Sequence, residues 1–285
     1  MHNAALASLS LDWRYLAFDV APERLRQALE GCRAMHFVGV NLTVPHKLIA
    51  VPFMDELDET AKEWGAVNTV AFEGQEGEGG DWRPLRDFEG GMPAHVRLRG
   101  YNTDADAVIR SIREDLICDP AGAQVMVLGA GGAGRVAALK LASCGVDELF
   151  LVNRTQSRAA EVADEVIRRF PKVRVRVGYP PGRVDLALNA TSLGLRVEDG
   201  LPYDAARWSP DRATFAYDMV YRPAQTPFLG QAKSAGCRVA NGLGMLLYQG
   251  ARALEIWTGR PAPVALMRQA LVQHIYGDRI EKGGL

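Results

Sequence analysis

The stretch VMVLGAGGAGRVAALKLA, residues 125–142, decides the fold of much of this chain. An apolar run leads into Gly129, Gly131 and Gly134 in GxGxxG spacing, and a helical pattern of small and apolar residues follows directly. In that context the first glycine makes a tight turn, the second lets the backbone approach a pyrophosphate, and the third lets helix and strand pack closely. The helix start adds amide donors and a positive dipole. The stretch therefore predicts a dinucleotide-binding turn.

The residues after the next predicted strand bear on whether the dinucleotide is NADP or NAD. ELFLVN ends at Asn153, where a fold that binds NAD usually carries an Asp or Glu for the ribose 2′-hydroxyl. NRTQSR supplies Arg154, Thr155 and Arg158 instead, and guanidinium groups suit a 2′-phosphate. The alternative is that both arginines are solvated residues on the following helix. We predict NADP rather than NAD.

Strand-like runs recur from residue 124 onward with helical or loop segments between them. The runs are AQVMVLG, ELFLVN, VRVRVG, VDLALN, TFAYDMVY and CRVANG. This pattern predicts a Rossmann-type, doubly wound parallel sheet. Two apolar helical segments follow from residue 243 with no further strand, and we expect them to return to the first lobe.

The residues before position 104 predict a second α/β lobe. WRYLAF (13–18), FVGVNL (37–42) and AVNTVAF (66–72) are strand-like, and this alternation of strands and helices implies a mainly parallel sheet. Residues 73–99 are rich in Gly and acid and too long for an ordinary connection, which predicts an elaborated loop or hairpin. The expected domains are a substrate-binding domain, 1–103 plus 243–285, and a nucleotide-binding domain, 104–242.

Composition narrows the class of function. The 285 residues carry a formal net charge of -1 with a pI near 6.5, and scattered Lys and Arg offer no footprint for nucleic acid. No apolar run approaches the roughly 20 residues that span a bilayer. The four cysteines lie far apart with no CxxC pair, which suits reduced thiols in a cytoplasm. We predict small-molecule chemistry with no nucleic-acid partner, no membrane and no metal ion.

The stretch GVNLTVPHK places Lys47 in the first turn of a helix after Pro45, where the helix dipole disfavours a cation. Reduction of a carbonyl by a nicotinamide cofactor needs a proton donor beside the developing alkoxide, and a lysine held by a carboxylate can supply it. The candidate carboxylate is Asp104 in GYNTDADAV. An Asp at a strand-to-helix junction is also a good N-cap, so the local pattern leaves both roles open.

Eight motifs in series resemble the shikimate dehydrogenase family. They are GVNLTVPHK, GAVNTV, GYNTD, GAGGAG, NRTQSR, NATSLG, YDMVYRPAQTPFL and NGLGMLLYQGA, and the resemblance runs from His2 to about Ala270 apart from residues 73–99. It implies NADP-dependent reduction of 3-dehydroshikimate to shikimate, a substrate lobe made from both chain ends, a nucleotide lobe between them, and often a dimer.

The resemblance also implies roles for single residues. Lys47 and Asp104 correspond to the catalytic pair. The positions that hold the ring hydroxyls and carboxylate of the substrate correspond to Thr43, Asn68, Tyr221 and Gln249. The positions that contact NADP correspond to Gly129, Ala130, Gly131, Gly132, Ala133, Asn153, Arg154, Thr155 and Arg158, with Met219 and Gly242 beside the nicotinamide.

Two alternatives stay open at this point. A quinate/shikimate or amino-shikimate dehydrogenase would carry the same motifs. The family also has a Ser-x-Ser-Pro stretch just upstream of a Met-His-Asn-Ala-Ala-like segment, and this sequence begins at that segment. We therefore expect Met1 to be an internal residue taken as a start, and the present chain to bind NADPH but bind shikimate poorly. A non-catalytic NADP-binding protein is the corresponding alternative.

Overall fold

The computed structural model describes residues 1–77, 79–88, 91, 93–196 and 198–277, which divide into two compact units. The first unit comprises Met1–Asp104 and Gln249–His274, and the second comprises Ala105–Tyr248 and the chain from Ile275 onward. The sequence placed the boundaries after residues 103 and 242 and assigned everything beyond 242 to the first lobe. Which ligand each unit binds remains a prediction.

The first unit packs helices against a small sheet. Its core includes Leu25, Leu29, Phe72 and Leu98, all almost fully buried. Its strands are β1 (Gly39–Asn41), β2 (Glu56–Leu57), β3 (Thr69–Gln75), β4 (Trp82–Pro84) and β5 (His95–Tyr101). Its helices before residue 104 are α1 (His2–Ser8), α2 (Leu25–Ala34), α3 (His46–Ile49) and α4 (Glu59–Trp64), with 3₁₀ turns at Pro22–Arg24, Val51–Phe53 and Leu85–Asp87.

The first sheet is mixed, so the predicted mainly parallel arrangement is wrong. The strand order is β1-β3-β5-β2, with β4 also on β3. Strand β3 pairs antiparallel with β1, β4 and β5, and β2 pairs parallel with β5. For β3, β4 and β5 the reason lies in residues 73–99, which extend β3 and β5 into a directly paired antiparallel couple and place β4 on the side of β3 away from β5. A chain that returns without a crossover helix runs antiparallel. The hairpin alternative for this segment is therefore confirmed.

Residues 13–18, predicted as a strand, form no strand. A strand needs a neighbour to bond its backbone, and the pairings in this sheet do not include the segment. The backbone N–H of Tyr15 donates instead to the side chain of Asn3 at 2.7 Å, and the Tyr15 ring stacks on His2. Leu16 and Phe18 remain exposed. Alternating apolar residues alone did not suffice to make a strand here.

The second unit has the predicted alternation of strands and helices. Its elements begin with α5 (Asp104–Asp115), β6 (Gln124–Leu128), α6 (Gly132–Ser143), β7 (Glu148–Val152) and α7 (Gln156–Arg169). They continue with β8 (Arg174–Val177), β9 (Val184–Asn189), a 3₁₀ turn at Pro210–Arg212, β10 (Ala213–Asp218), α8 (Pro227–Ser234) and β11 (Arg238–Asn241).

The second sheet is wholly parallel, which confirms the doubly wound prediction. Its order is β11-β10-β9-β6-β7-β8, and every neighbouring pair runs parallel. The direction of winding reverses between β6 and β9. In such sheets a ligand binds beyond the carboxyl ends of the strands at that point. Residues such as Met126, Leu128, Phe150 and Trp208 fill the core beside the sheet.

Two apolar helices close the described chain, as the sequence predicts. They are α9 (Leu243–Thr258) and α10 (Val264–Tyr276). Within the first unit, the Trp257 indole of α9 donates to the carbonyl of Val70 at 3.0 Å. A side chain at Gly39 would overlap that indole. The later turns of α9 therefore pack directly on β1 and β3.

Candidate functional site

Lys47 and Asp104 form an ion pair in the first unit. Lys47 lies on the short helix α3, and Asp104 is the first residue of α5. Their Nζ and Oδ2 atoms are 2.8 Å apart, and the two side chains are 29% and 14% exposed. The backbone N–H of Asp104 donates to Oδ1 of Asn102 at 3.1 Å. The carboxylate of Asp104 thus pairs with Lys47, the lysine with which the sequence analysis paired it.

Asn68 lies at the centre of a buried hydrogen-bond network in the same unit. It is 1% exposed, and its Oδ1 accepts from the backbone N–H of Thr103 at 2.8 Å. Its Nδ2 donates to Oγ1 of Thr103 at 3.0 Å and to Oε1 of Gln249 at 3.5 Å. Because Thr103 directly precedes Asp104, the network joins Asn68 and Gln249 to the backbone next to the ion pair.

Sequence reasoning missed the members that hold this network from the β1 side. Asn41 accepts from the Tyr15 hydroxyl at 2.9 Å and donates to the carbonyl of Asn68 at 3.2 Å and to Oγ1 of Thr69 at 3.0 Å. The sequence carried one indication of this role: Asn41 is a polar residue at the end of a strand within the motif GVNLTVPHK. Thr43, two residues further on, is exposed, and its carbonyl accepts from the backbone N–H of His46 at 2.8 Å.

The glycine turn of the second unit lies at the carboxyl end of β6, where the winding reverses. A side chain at Gly134 would come within 2.0 Å of the Gly129 carbonyl oxygen, so helix and turn pack as closely as the motif predicts. Gly131 and Gly132 have open space at the same position. Among the described residues, no side chain caps the start of α6. The turn therefore presents backbone amides on an uncovered surface, which suits a pyrophosphate.

The cations predicted for a 2′-phosphate lie at the start of α7. Arg154, Thr155 and Arg158 are exposed. The Asn153 side chain accepts from the backbone N–H of Ala130 at 3.1 Å, so it ties this end of β7 to the glycine turn. Two exposed guanidinium groups and a hydroxyl beside an open turn fit a phosphorylated dinucleotide.

A cavity of about 370 Å³ connects these two features. Its lining comprises Ala130, Gly131, Gly132, Arg135, Arg158, Glu161, Val162 and Glu165. Arg135, which the sequence analysis did not single out, forms a bidentate pair with Glu165 at 2.7 and 2.6 Å. Burial opposes ionisation of Glu165, but Arg135 and Arg169 together leave its pKa lowered. That carboxylate is therefore paired within the protein.

The structure brings together the two residues predicted to lie beside the nicotinamide. The backbone N–H of Gly242 donates to the carbonyl of Val220 at 3.2 Å, and a side chain at Gly242 would come within 2.1 Å of the Met219 oxygen. Only glycine allows this approach. Tyr221, predicted to bind the substrate, follows in the same loop and is 37% exposed. It lies in the second unit, whereas Lys47 lies in the first.

A buried carboxylate that sequence reasoning missed anchors this loop. Asp218 is fully buried and accepts from Asn189 at 2.9 Å, the backbone N–H of Val220 at 3.0 Å and the Thr226 hydroxyl at 2.6 Å. Burial raises the pKa of Asp218 to about 6, although these three hydrogen bonds act in the opposite direction. Its signal in the sequence was an acid at the end of an otherwise apolar strand.

Other site types find no support in the residues that the structure describes. No group of three or more His, Cys, Asp or Glu side chains in residues 1–77, 79–88, 91, 93–196 and 198–277 is placed to hold a metal ion. Over the same ranges, no helix combines the length and hydropathy needed to cross a bilayer. The four cysteines are free thiols.

Family models match three parts of the chain. Residues 1–70 match the shikimate dehydrogenase substrate binding domain, residues 111–175 match shikimate / quinate 5-dehydrogenase, and residues 242–272 match the shikimate 5′-dehydrogenase C-terminal domain. A shikimate dehydrogenase (NADP+) of Moorella thermoacetica is 42% identical over 283 residues, which cover 95% of this chain and 86% of that protein.

Solved structures share the fold. One is the shikimate 5-dehydrogenase of Thermus thermophilus in complex with NADP(H) and shikimate, at 33% identity and a TM-score of 0.76, covering 95% of this chain and 92% of that one. Another is the ligand-free 5-ketofructose reductase of a Gluconobacter species, at 33% identity and a TM-score of 0.77, covering 95% and 91%. On the family models and the extent of identity, the chain belongs to the shikimate dehydrogenase family.

Proposed function

We propose that this chain is an NADP-dependent shikimate dehydrogenase, which catalyses the reversible reduction of 3-dehydroshikimate to shikimate. The observation that carries the proposal is the Lys47–Asp104 ion pair at 2.8 Å beside the Asn68 network. The named activity of the Moorella thermoacetica relative and the shikimate bound in the Thermus thermophilus structure support the same substrate. Lys47 and Asp104 are the proposed catalytic pair.

Thr43, Asn68 and Gln249 of the first unit, together with Tyr221, are the proposed substrate-binding residues. The contact between Asn68 Nδ2 and Gln249 Oε1 is long, at 3.5 Å. A ring hydroxyl placed there would accept from the amide of Asn68 and donate to the Gln249 oxygen. The substrate would then replace one weak contact with two stronger ones, because hydrogen bonds weaken beyond about 3.2 Å.

Lys47 is the proposed proton donor. NADPH, when bound, supplies the hydride that adds to the carbonyl carbon. As the carbonyl oxygen gains charge, the Lys47 ammonium gives it a proton from Nζ, and in the oxidation direction neutral Lys47 takes that proton back. The Asp104 carboxylate holds the ammonium at 2.8 Å and orients it toward the reacting oxygen.

The second unit is the proposed NADP-binding domain, and the first is the proposed substrate-binding domain. The cofactor residues are those of the glycine turn and of the β7–α7 junction, with Met219 and Gly242 beside the nicotinamide. We place this activity in the cytoplasm with no nucleic-acid or membrane partner, supported by a net charge of -1 and free thiols. A homodimer is the assembly that the resemblance implies.

A panel of substrates tests the proposal. Initial rates with shikimate and quinate, each with NADP+ and NAD+, and with 5-ketofructose and NADPH, give kcat/KM for each pair. We expect shikimate with NADP+ to give the highest value. A higher value for quinate or 5-ketofructose would assign the chain to another activity of the family. Tight NADPH binding with no turnover of any of them would identify a non-catalytic NADP-binding protein.

A further inference from the structure

The loop from β10 to α8, residues 219–226, carries both Met219 and Tyr221. Among the described residues, no hydrogen bond holds the Tyr221 hydroxyl, and the ring is 37% exposed. The position of this side chain therefore depends on the backbone that carries it. That backbone is fixed at its two ends by Asp218, which accepts from the N–H of Val220 and from the Thr226 hydroxyl.

The middle of the loop is held from outside by Tyr276, near the end of α10. The Tyr276 hydroxyl donates to the carbonyl of Tyr221 at 2.6 Å and accepts from Nδ2 of Asn241 at 3.1 Å. Asn241 Nδ2 also donates to the carbonyl of Ala224 at 2.8 Å. One hydroxyl and one amide thus bond the loop at two carbonyls, and both groups lie in the second unit with the loop.

We propose that Tyr276 is a positioning residue for the substrate, acting through the backbone of Tyr221. This inference rests on the proposed function, in which Tyr221 binds the substrate. The hydroxyl of Tyr276 has its donor and its acceptor role filled, so it fixes the Tyr221 carbonyl in one place. Loss of that bond lets the carbonyl turn to water, and the exposed Tyr221 ring moves with it. Small displacements of a binding group lower the rate disproportionately.

The variant Tyr276→Phe removes this hydroxyl and keeps the ring. We expect kcat/KM for shikimate to fall about twofold to tenfold, the range for one neutral hydrogen bond, mainly through KM. The KM for NADP+ should change less than about twofold, because the hydroxyl contacts none of the proposed phosphate-binding residues. The matched control is Tyr203→Phe, which removes a hydroxyl bond to the side chain of Gln231 on α8 in the same unit and no bond to the backbone of residues 219–226. The control should leave both KM values unchanged.

Asn241→Asp is the second variant, because Asn241 is the residue that donates to the Tyr276 hydroxyl. Aspartate keeps an acceptor for the backbone N–H of Leu243 but loses the donor to Tyr276 and to Ala224. We expect a similar rise in KM for shikimate. Combined with Tyr276→Phe, its effect should be less than the product of the two single effects, since both variants remove the bond between Asn241 and the Tyr276 hydroxyl.

Hydrogen exchange of the free enzyme gives a readout that does not need activity. Peptides covering residues 219–226 should exchange faster in Tyr276→Phe than in the unmodified chain, and at the same rate in Tyr203→Phe. If the unmodified chain oxidises no shikimate, the proposed function fails, and faster exchange still supports the loop contact. A change in exchange with unaltered KM, a change in KM with unaltered exchange, or no change in either would overturn the positioning role.

Discussion

The two units present their predicted binding residues in different ways. In the first unit, Asn68 is 1% exposed and its amide is already bonded to Thr103. In the second, Arg154 and Arg158 are exposed, and the glycine turn offers backbone amides on an uncovered surface. The first unit therefore fixes its side chains before any ligand arrives. The second combines main-chain geometry that only glycine permits with exposed, long arginine side chains.

The difference matches what the ligand proposed for each unit demands. A ring with several hydroxyls must be held in one orientation for a proton to reach one oxygen, and preorganised side chains provide that precision. A pyrophosphate is recognised by its charge and by a close approach of backbone amides. Variants that separately alter the chemical step, the cofactor preference and the stability test this difference between the two units.

The largest effect is expected for Lys47→Met. Loss of a general acid should cut kcat by about 10²–10⁴ and leave the chain folded with an unchanged Kd for NADPH. Lys62→Met is the matched control, because Lys62 also pairs with a carboxylate at 2.8 Å but lies on the surface of α4. Steady-state rates should show the loss of kcat in Lys47→Met and none in Lys62→Met. If Lys47→Met alters only KM, Lys47 binds substrate and the proton comes from elsewhere.

The second prediction concerns the cofactor preference of the other unit. The double variant Arg154→Gln/Arg158→Gln should raise KM for NADPH about tenfold to a hundredfold, since it removes charge-assisted contacts to the 2′-phosphate. KM for NADH, which lacks that phosphate, should stay nearly constant. Arg168→Gln, an exposed change further along α7, serves as the control. Equal use of NADPH and NADH by the unmodified chain would contradict the assignment.

The third prediction tests whether the first unit is preorganised. Asn68→Ala removes the partner of the Thr103 backbone N–H and leaves a buried donor unsatisfied. We expect the free energy of unfolding to fall by about 1–3 kcal/mol. Thr155→Ala in the second unit should leave stability almost unchanged, because Thr155 is exposed and its side chain caps nothing in the described chain. Similar losses of stability in both variants, measured by denaturant unfolding, would remove the contrast between the units.

The sequence predicted best where local pattern and function coincide. The glycine turn, the parallel second sheet and the partnership of Lys47 with Asp104 were all expected, because spacing on one strand and helix constrains the turn and sheet, and the chemistry of carbonyl reduction suggests the pair. The mixed first sheet was not. The order of strands along the chain does not determine their direction. Residues 73–99 connect β3 to β4 and β5 without a crossover helix, so β3 runs antiparallel to both.

The hydrogen bonds that hold the site were beyond sequence reasoning for a related reason. Asn41 reaches Asn68 across 27 positions, and Tyr276 reaches Tyr221 across 55. No regular sequence spacing predicts either contact, because each depends on how separate elements pack against one another. Asp218 was equally hidden, because an acid at the end of a strand is commonly a surface residue. Its burial follows only from the loops that fold over it.

The final prediction is a pH dependence of stability with opposite sign in the two units. Burial of His2 in the first unit lowers its pKa from 6.5 to about 4, so the unfolded chain binds the proton first, and stability falls as pH drops from 6.5 toward 4. Burial of Asp218 in the second raises its pKa from 3.8 to about 6. The folded state then holds the proton more tightly, and stability falls as pH rises from 3.8 toward 6.

The variants His2→Gln and Asp218→Asn isolate the two contributions. Each group contributes at most one proton, so each slope stays below about 1.4 kcal/mol per pH unit. Denaturant unfolding between about pH 4 and 7 should show that the stability advantage of the unmodified chain over His2→Gln shrinks toward low pH, whereas its advantage over Asp218→Asn shrinks as the pH rises toward about 6. Slopes of the same sign would mean that one of these groups is not buried as the structure has it. The contrast between the units would then rest on their binding residues alone.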